Sequence, residues 1–300
     1  MVGEATVADF AGLEAALDEK RRAVDAALPA LLRPGVPEVD AAVAHSLLGA
    51  AKRVRPVLTL LVADLFRLEA RVVLPAACAV EMVHTASLIL DDLPSMDDAL
   101  LRRNRPACHR AHGEANAILA AFALQNRAFE LLAEGWSGGP DPQLRAALAR
   151  ELAGAVGETG MIAGQARDLS ATDRDIDFAT LEFIHSRKTG ALFVATAAMG
   201  ALAAGASAAD TAAVRAYAKN LGLAFQIVDD LIDAVGAAAE AGKDVGQDAK
   251  KTTFVSFSGV EGAAQLAREL AQASQDALRP FGARARALRE LALYVVARRR

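Results

Sequence analysis

Apolar residues recur at helical spacing through nearly all of this 300-residue chain, and no alternating, strand-like segment persists. A chain of this kind must fold as helices that each bury one face. Composition agrees: aromatic residues make up only 5%, while alanine and leucine abound and β-branched runs are short. The spacing predicts helices over about 6–30, 38–50, 53–68, 72–92, 109–134, 142–168, 178–204, 208–234, 260–277 and 281–297. Breaks fall at Pro34-Gly35-Val36-Pro37, over 93–107, from Gly135 to Pro142 and from Ala234 to Thr253. No linker or shift in charge divides the sequence, and 53% hydrophobic residues can fill a large core. The expectation is therefore an all-α fold, one large helical domain over residues 1–300.

Charge and cysteine usage narrow the setting. A formal charge of −4 gives no reason to expect nucleic acid or anionic lipid as a partner. Cys78 and Cys108 lack framework spacing, which suits buried thiols in a reducing, cytoplasmic compartment. The N-terminus does not read as a signal peptide. The uncharged stretch from Gly190 to Ala209 is mostly alanine and glycine, so it reads as a buried core helix and no integral membrane segment is expected.

Two of the breaks directly follow clusters of aspartate. The first is Asp91-Asp92-Leu93-Pro94-Ser95-Met96-Asp97-Asp98 and the second Asp229-Asp230-Leu231-Ile232-Asp233, each preceded by an apolar helical stretch. Carboxylates this close repel one another, and neighbouring apolar residues make the repulsion worse, so a cation belongs between them. Mg²⁺ binds through one or two carboxylates plus substrate phosphates, which makes the clusters candidates for a metal-bridged diphosphate site. Asp229 and Asp233 are four apart and share a helix face, with Asp230 about 100° round. Asp91 and Asp97 would diverge on a straight helix, but Pro94 forces a bend that brings Asp97 back.

Basic groups complete such a site. Lys52-Arg53-Val54-Arg55-Pro56 opens a predicted helix, where free backbone N–H groups also favour anions. Arg102-Arg103 follows the first cluster, and Arg187-Lys188-Thr189-Gly190 and Lys243 are further candidates. Alone, each reads as an ordinary solvated charge; together they form a set.

The set resembles the trans-isoprenyl diphosphate synthases. The resemblance rests on Lys52-Arg53-Val54-Arg55-Pro56, on the run from His84 to Asp98, on Leu101-Arg102-Arg103 and on Gly160-Met161-Ile162-Ala163-Gly164-Gln165. It extends to His185-Ser186-Arg187-Lys188-Thr189-Gly190 and to the run from Leu223 to Asp233, in family order over about 45–260. The proline-containing first cluster is similar to the bacterial farnesyl and the bacterial or plant geranylgeranyl branch.

The resemblance implies an all-helical fold around a deep cavity, usually in a homodimer. It implies condensation of isopentenyl diphosphate with an allylic diphosphate, using about three Mg²⁺ ions per site. By the same resemblance Asp91, Asp92, Asp97, Asp229 and Asp233 would hold metal, and Arg102, Lys188 and Lys243 would bind the allylic diphosphate. Lys52, Arg55, His84 and Arg103 would bind isopentenyl diphosphate, and Thr189 and Gln226 would face the developing cation. Ala86 and Ser87 lie five and four before Asp91, and the small Ala86 stands where similar farnesyl synthases often carry a bulky aromatic, which favours a twenty-carbon product with fifteen carbons next. Phe122 is the candidate for a floor further down.

The chain departs from the family pattern at Ala50-Ala51, where Gly-Gly is usual, at Asn104, where glycine is common, and at Ala121-Phe122, where Gly-Asp is typical. A catalytically weak partner subunit and a class I terpene cyclase are the alternatives. The basic Arg298-Arg299-Arg300 reads as a solvated tail.

Overall fold

The computed structural model describes residues 10–172, 174–240 and 252–298, with 236–240 as backbone only. Its elements are α1 (Ala11–Leu31), α2 (Pro37–Leu47), α3 (Val54–Leu65), α4 (Ala70–Asp91), α5 (Cys108–His112), α6 (Glu114–Glu134) and α7 (Pro142–Val156). They continue with α8 (Met161–Ala171), α9 (Phe178–His185), α10 (Ala191–Ala203), α11 (Ala208–Glu240), α12 (Phe254–Ala277) and α13 (Arg286–Ala297). The all-α class holds. Among the described residues the only strands are β1 (Leu101–Arg102) and β2 (Arg105–Pro106), a minimal antiparallel hairpin.

The differences from the predicted helices have local causes. The helix expected over 109–134 breaks at Gly113, whose φ of 81° suits a residue without Cβ. The one expected over 142–168 breaks between α7 and α8 at Gly157 to Gly160. The one expected over 178–204 is continuous but passes through a π turn at Ser186–Gly190 between α9 and α10. The helix carrying the second cluster runs on to Glu240 instead of ending near 234. The next begins at Phe254, earlier than expected, because Thr253 and Ser256 form a reciprocal cap.

The backbone packs as two compact units, one comprising Ala16–Arg150 with Leu202–Gly205. Its core is α4, whose residues from Ala76 to Val83 are all buried, packed by α3 and by the alanine-rich face of α6 (Ala117, Ala120, Ala121, Ala128). By length and composition α4 is apolar enough to cross a membrane, yet 67% of its apolar window is buried inside the protein, as in a core helix. Burial also pushes the free Cys78 thiol up to about 12, which leaves it unreactive.

The other unit comprises the described parts of Met1–Ala15, Glu151–Ala201 and Ala206–Arg300. Here Leu181 of α9, Ile227 and Val228 of α11, and Phe254, Ala263 and Ala267 of α12 form one buried cluster. The stretch from Gly190 to Ala209 supplies α10, a 13-residue helix buried almost throughout.

Candidate active site

The first aspartate cluster begins where α4 stops. After Asp91 the chain turns back on itself: the Asp97 N–H donates to the Asp91 carbonyl (3.0 Å) and the Asp98 N–H to that of Leu93 (3.0 Å). Asp98 has a φ of 44°, and Arg110 holds its carboxylate at 2.7 Å. Pro94 thus ends the helix, and the turn sets Asp97 beside Asp91. Asp92 does not join them. It is buried, and the Arg102 Nε–H reaches both its oxygens (3.0 and 3.1 Å), with a further contact from Nη2. One step round the helix from Asp91, its carboxylate faces protein and is the partner of Arg102. This charge-assisted bond holds the Arg102 pKa above its ordinary value.

The basic groups of the same unit gather along α4. The Arg55 Nη1–H donates to His84 Nε2 at 3.0 Å, so this nitrogen carries no proton. Burial, then the neighbouring Arg55, Arg103, Arg102 and Arg53, push His84 well below its ordinary value of 6.5. A histidine held neutral in this way favours the folded state above about pH 6.5, and that contribution is lost as pH falls towards its folded value. Chemical denaturation of His84→Gln should therefore show a flatter decline in stability below pH 6.5 than the parent chain.

Lys52 is exposed and Arg55 half-buried at the start of α3. Neither Ala50 nor Ala51 has a positive φ, so alanine fits where glycine is usual. The left-handed residue of this loop is Arg53 (φ 48°), which is buried. The β1–β2 loop is Arg103-Asn104, both left-handed (φ 54° and 60°), the pattern of a type I′ turn that asparagine tolerates and arginine does not favour. His84, Ser87 and Asp91 are spaced three and four apart along α4 and all partly accessible. Ala86 lies off this stripe and is only 1% exposed. Phe122 is 66% exposed on the outer face of α6, so it closes no interior of its own unit, contrary to its expected place as a tunnel floor.

The second unit holds the other half of the expected residues. Lys188 and Thr189 sit in the π turn, a distortion that often marks functional sites. The turn packs against α8 at Gly164, where a Cβ would lie 2.1 Å from the Lys188 nitrogen. Lys188 Nζ reaches Asp168 of α8 at 2.8 Å, and the Thr189 hydroxyl donates to Gln226 Oε1 at 3.1 Å. The Gln226 amide in turn donates to Asp230 at 3.0 Å, and Asp230 also accepts the Phe254 N–H at 3.1 Å. Burial raises the Asp230 pKa, with Asp229 and Asp233 adding to the effect against its two hydrogen bonds. Asp229 and Asp233 lie a turn apart on α11 and are more accessible. Lys243 lies outside the described residues.

Three residues here carry weight that the sequence reading did not give them. Arg298 is not part of a solvated tail: its side chain is 9% exposed, donates to Asp229 (2.7 Å) and the Phe225 carbonyl (2.9 Å), and stacks 3.9 Å over the Phe225 ring. Asp168 holds Lys188, and Glu81 is buried against Arg53. Only Glu81 left a signal, as the sole acidic residue between Val72 and Leu90.

The donor set fits Mg²⁺. Every candidate ligand is a hard carboxylate, Asp91 and Asp97 at one cluster and Asp229 and Asp233 at the other. That suits an ion which takes few protein ligands and completes its shell with phosphate and water.

The family model described as "Polyprenyl synthetase" matches residues 36–279. Geranylgeranyl pyrophosphate synthase 9, chloroplastic, of Arabidopsis thaliana is 40% identical over 92% of this chain and 78% of its own length. A farnesyl diphosphate synthase of Geobacillus stearothermophilus is 40% identical over 89% of this chain and 91% of its own. Among solved structures, an FPP/GFPP synthase from Zymomonas mobilis superposes with a TM-score of 0.85 at 35% identity, covering 95% of this chain and 99% of the other.

Proposed function

The chain belongs to the polyprenyl synthetase family, and from that premise we propose which residues serve its reaction, with which metal, and to what chain length. The reaction is the head-to-tail condensation of isopentenyl diphosphate with an allylic diphosphate to a short-chain trans-prenyl diphosphate. The observation that carries the residue assignment is the turn at Pro94, which returns Asp97 to Asp91 beside the arginine-bound Asp92. The family match runs from 36 to 279, through both compact units, which supports one functional domain.

Asp91, Asp97, Asp229 and Asp233 would hold Mg²⁺, which when bound draws negative charge off the departing diphosphate. Arg102, fixed by Asp92, and Lys188, fixed by Asp168, each supply a cation to that diphosphate. The C–O bond breaks, and the double bond of isopentenyl diphosphate attacks the allylic cation. Thr189 and Gln226 present oxygen dipoles to the developing positive charge. The released pyrophosphate takes the final proton, so the neutral His84 serves binding through Arg55 rather than proton transfer. Lys52, Arg55 and Arg103 bind the isopentenyl diphosphate.

Ser87 shares the accessible stripe with His84 and Asp91, so its small side chain supports a twenty-carbon product. Products formed from dimethylallyl, geranyl and farnesyl diphosphate separately should end at twenty carbons, and Ser87→Phe should shift them to fifteen. Unchanged products in a folded Ser87→Phe chain would remove residue 87 as the length determinant.

We place the protein in the cytoplasm as a homodimer. Ile118, Leu119 and Phe122 lie exposed on one face of α6, an apolar surface suited to a second copy. Sedimentation should give a dimer for the parent chain and a monomer for Phe122→Glu; a monomeric parent would end the proposal.

A further inference from the structure

We propose that Glu81, paired with Arg53, is a positioning residue for isopentenyl diphosphate that acts through Arg103; this rests on the reading of Lys52, Arg55, His84 and Arg103 as that substrate's site. Glu81 lies in the middle of α4, and its side chain and that of Arg53 are each 1% exposed. The Arg53 guanidinium makes four hydrogen bonds. Its Nη1–H donates to Glu81 Oε1 (2.8 Å), its Nε–H to Asp25 (2.8 Å), and its Nη2–H groups to the Leu47 and Gly49 carbonyls (2.6 and 3.1 Å). Those bonds fix the course of the loop that delivers Lys52 and opens α3, where the Arg53 carbonyl accepts the Val57 N–H.

The same Glu81 oxygen lies 3.9 Å from Arg103 Nη2. Arg53 and Arg103 are both non-glycine residues in the left-handed region, which L side chains disfavour. Strain of this kind persists only where the surroundings over-determine it. One buried carboxylate meets both strained arginines, and one turn further along α4 stands His84, bound to Arg55. Burial weakens the charged form of Arg103, and Glu81 opposes that effect first among its neighbours.

A buried ion pair is a weak source of stability, and apolar residues of similar volume often replace one at little cost. What apolar residues lack is a directed charge for Arg103 to face. The structural and positioning roles therefore separate in the variant R53M/E81M, studied in the full chain. We expect it to fold, with KM for isopentenyl diphosphate raised about tenfold and KM for the allylic substrate within about twofold of the parent. In an Arg103→Ala background the same replacement should add less than about twofold, because the residue it acts through is gone.

A folded R53M/E81M with unchanged KM for isopentenyl diphosphate, or with both KM values raised equally, overturns the proposal. If R53M/E81M does not fold, Glu81→Asp carries the test by keeping the charge but drawing it back from Arg103. A rise in KM for isopentenyl diphosphate alone then supports the proposal, and no change or an equal change in both KM values overturns it. Lys52→Ala and Arg55→Ala test the underlying site separately. If they leave KM for isopentenyl diphosphate unchanged, the site itself is misassigned, whatever the pair does.

Discussion

Asp91→Ala is expected to lower kcat by about a thousandfold, because a carboxylate that holds a Lewis-acid ion carries several kcal/mol of transition-state stabilisation. The fold should survive the change. The turn after α4 is held by the Asp91 carbonyl, which accepts the Asp97 N–H and is unchanged by the substitution. Removing one acid from a crowded cluster also relieves like-charge repulsion, so Tm should hold or rise. Asp92→Ala should behave differently, losing thermal stability along with activity, since it strips Arg102 of its bidentate partner. Steady-state kinetics and thermal denaturation of the two variants check this contrast. An equal loss of stability in both would mean that Asp91 is a structural residue.

Gly164→Ala is expected to have the next largest effect, although it adds a single methyl group. The new Cβ would lie 2.1 Å from the Lys188 nitrogen and 2.7 Å from its Cα, contacts that only backbone movement can relieve. Overpacking of this kind costs about 1–3 kcal/mol. The movement falls on the π turn, where Lys188 meets Asp168 and Thr189 meets Gln226. A displacement near 1 Å at a positioning group costs about a hundredfold in rate, so kcat should fall by about that factor with the chain still folded. Gly154→Ala, on α7 with nothing within 4 Å of its added Cβ, serves as the control and should leave kcat unchanged. Parent-like kcat in Gly164→Ala would show that the π turn need not hold its position.

What the sequence made legible, and what it hid, follows from the range of the interactions. Helical periodicity and the acid and proline pattern act within a few residues, so α4, the bend at Pro94 and the shared face of Asp229 and Asp233 could all be anticipated. The fate of Asp92 could not, because it depends on an arginine ten residues on, across a turn. Arg298 lies 69 residues from Asp229, and no spacing rule connects them. The π turn at Ser186–Gly190 is set by how closely α8 approaches it, as the contact at Gly164 shows, whereas the break at Gly113 turns on a left-handed backbone that spacing alone does not announce. Phe122 was misplaced for the opposite reason. Its helix position is right, but which face of α6 is covered is decided by packing against α4.

Metal-dependent chain elongation is the activity we propose for the two aspartate clusters. The most direct test incubates the purified, folded chain with isopentenyl diphosphate and each allylic starter, with Mg²⁺ and again with the metal chelated, and follows prenyl diphosphate formation by mass. Longer prenyl diphosphates are expected only when both substrates and Mg²⁺ are present, with none after chelation and recovery on adding the metal back. Product that forms equally well in chelator, or no isopentenyl-dependent product from any starter, would contradict the proposal.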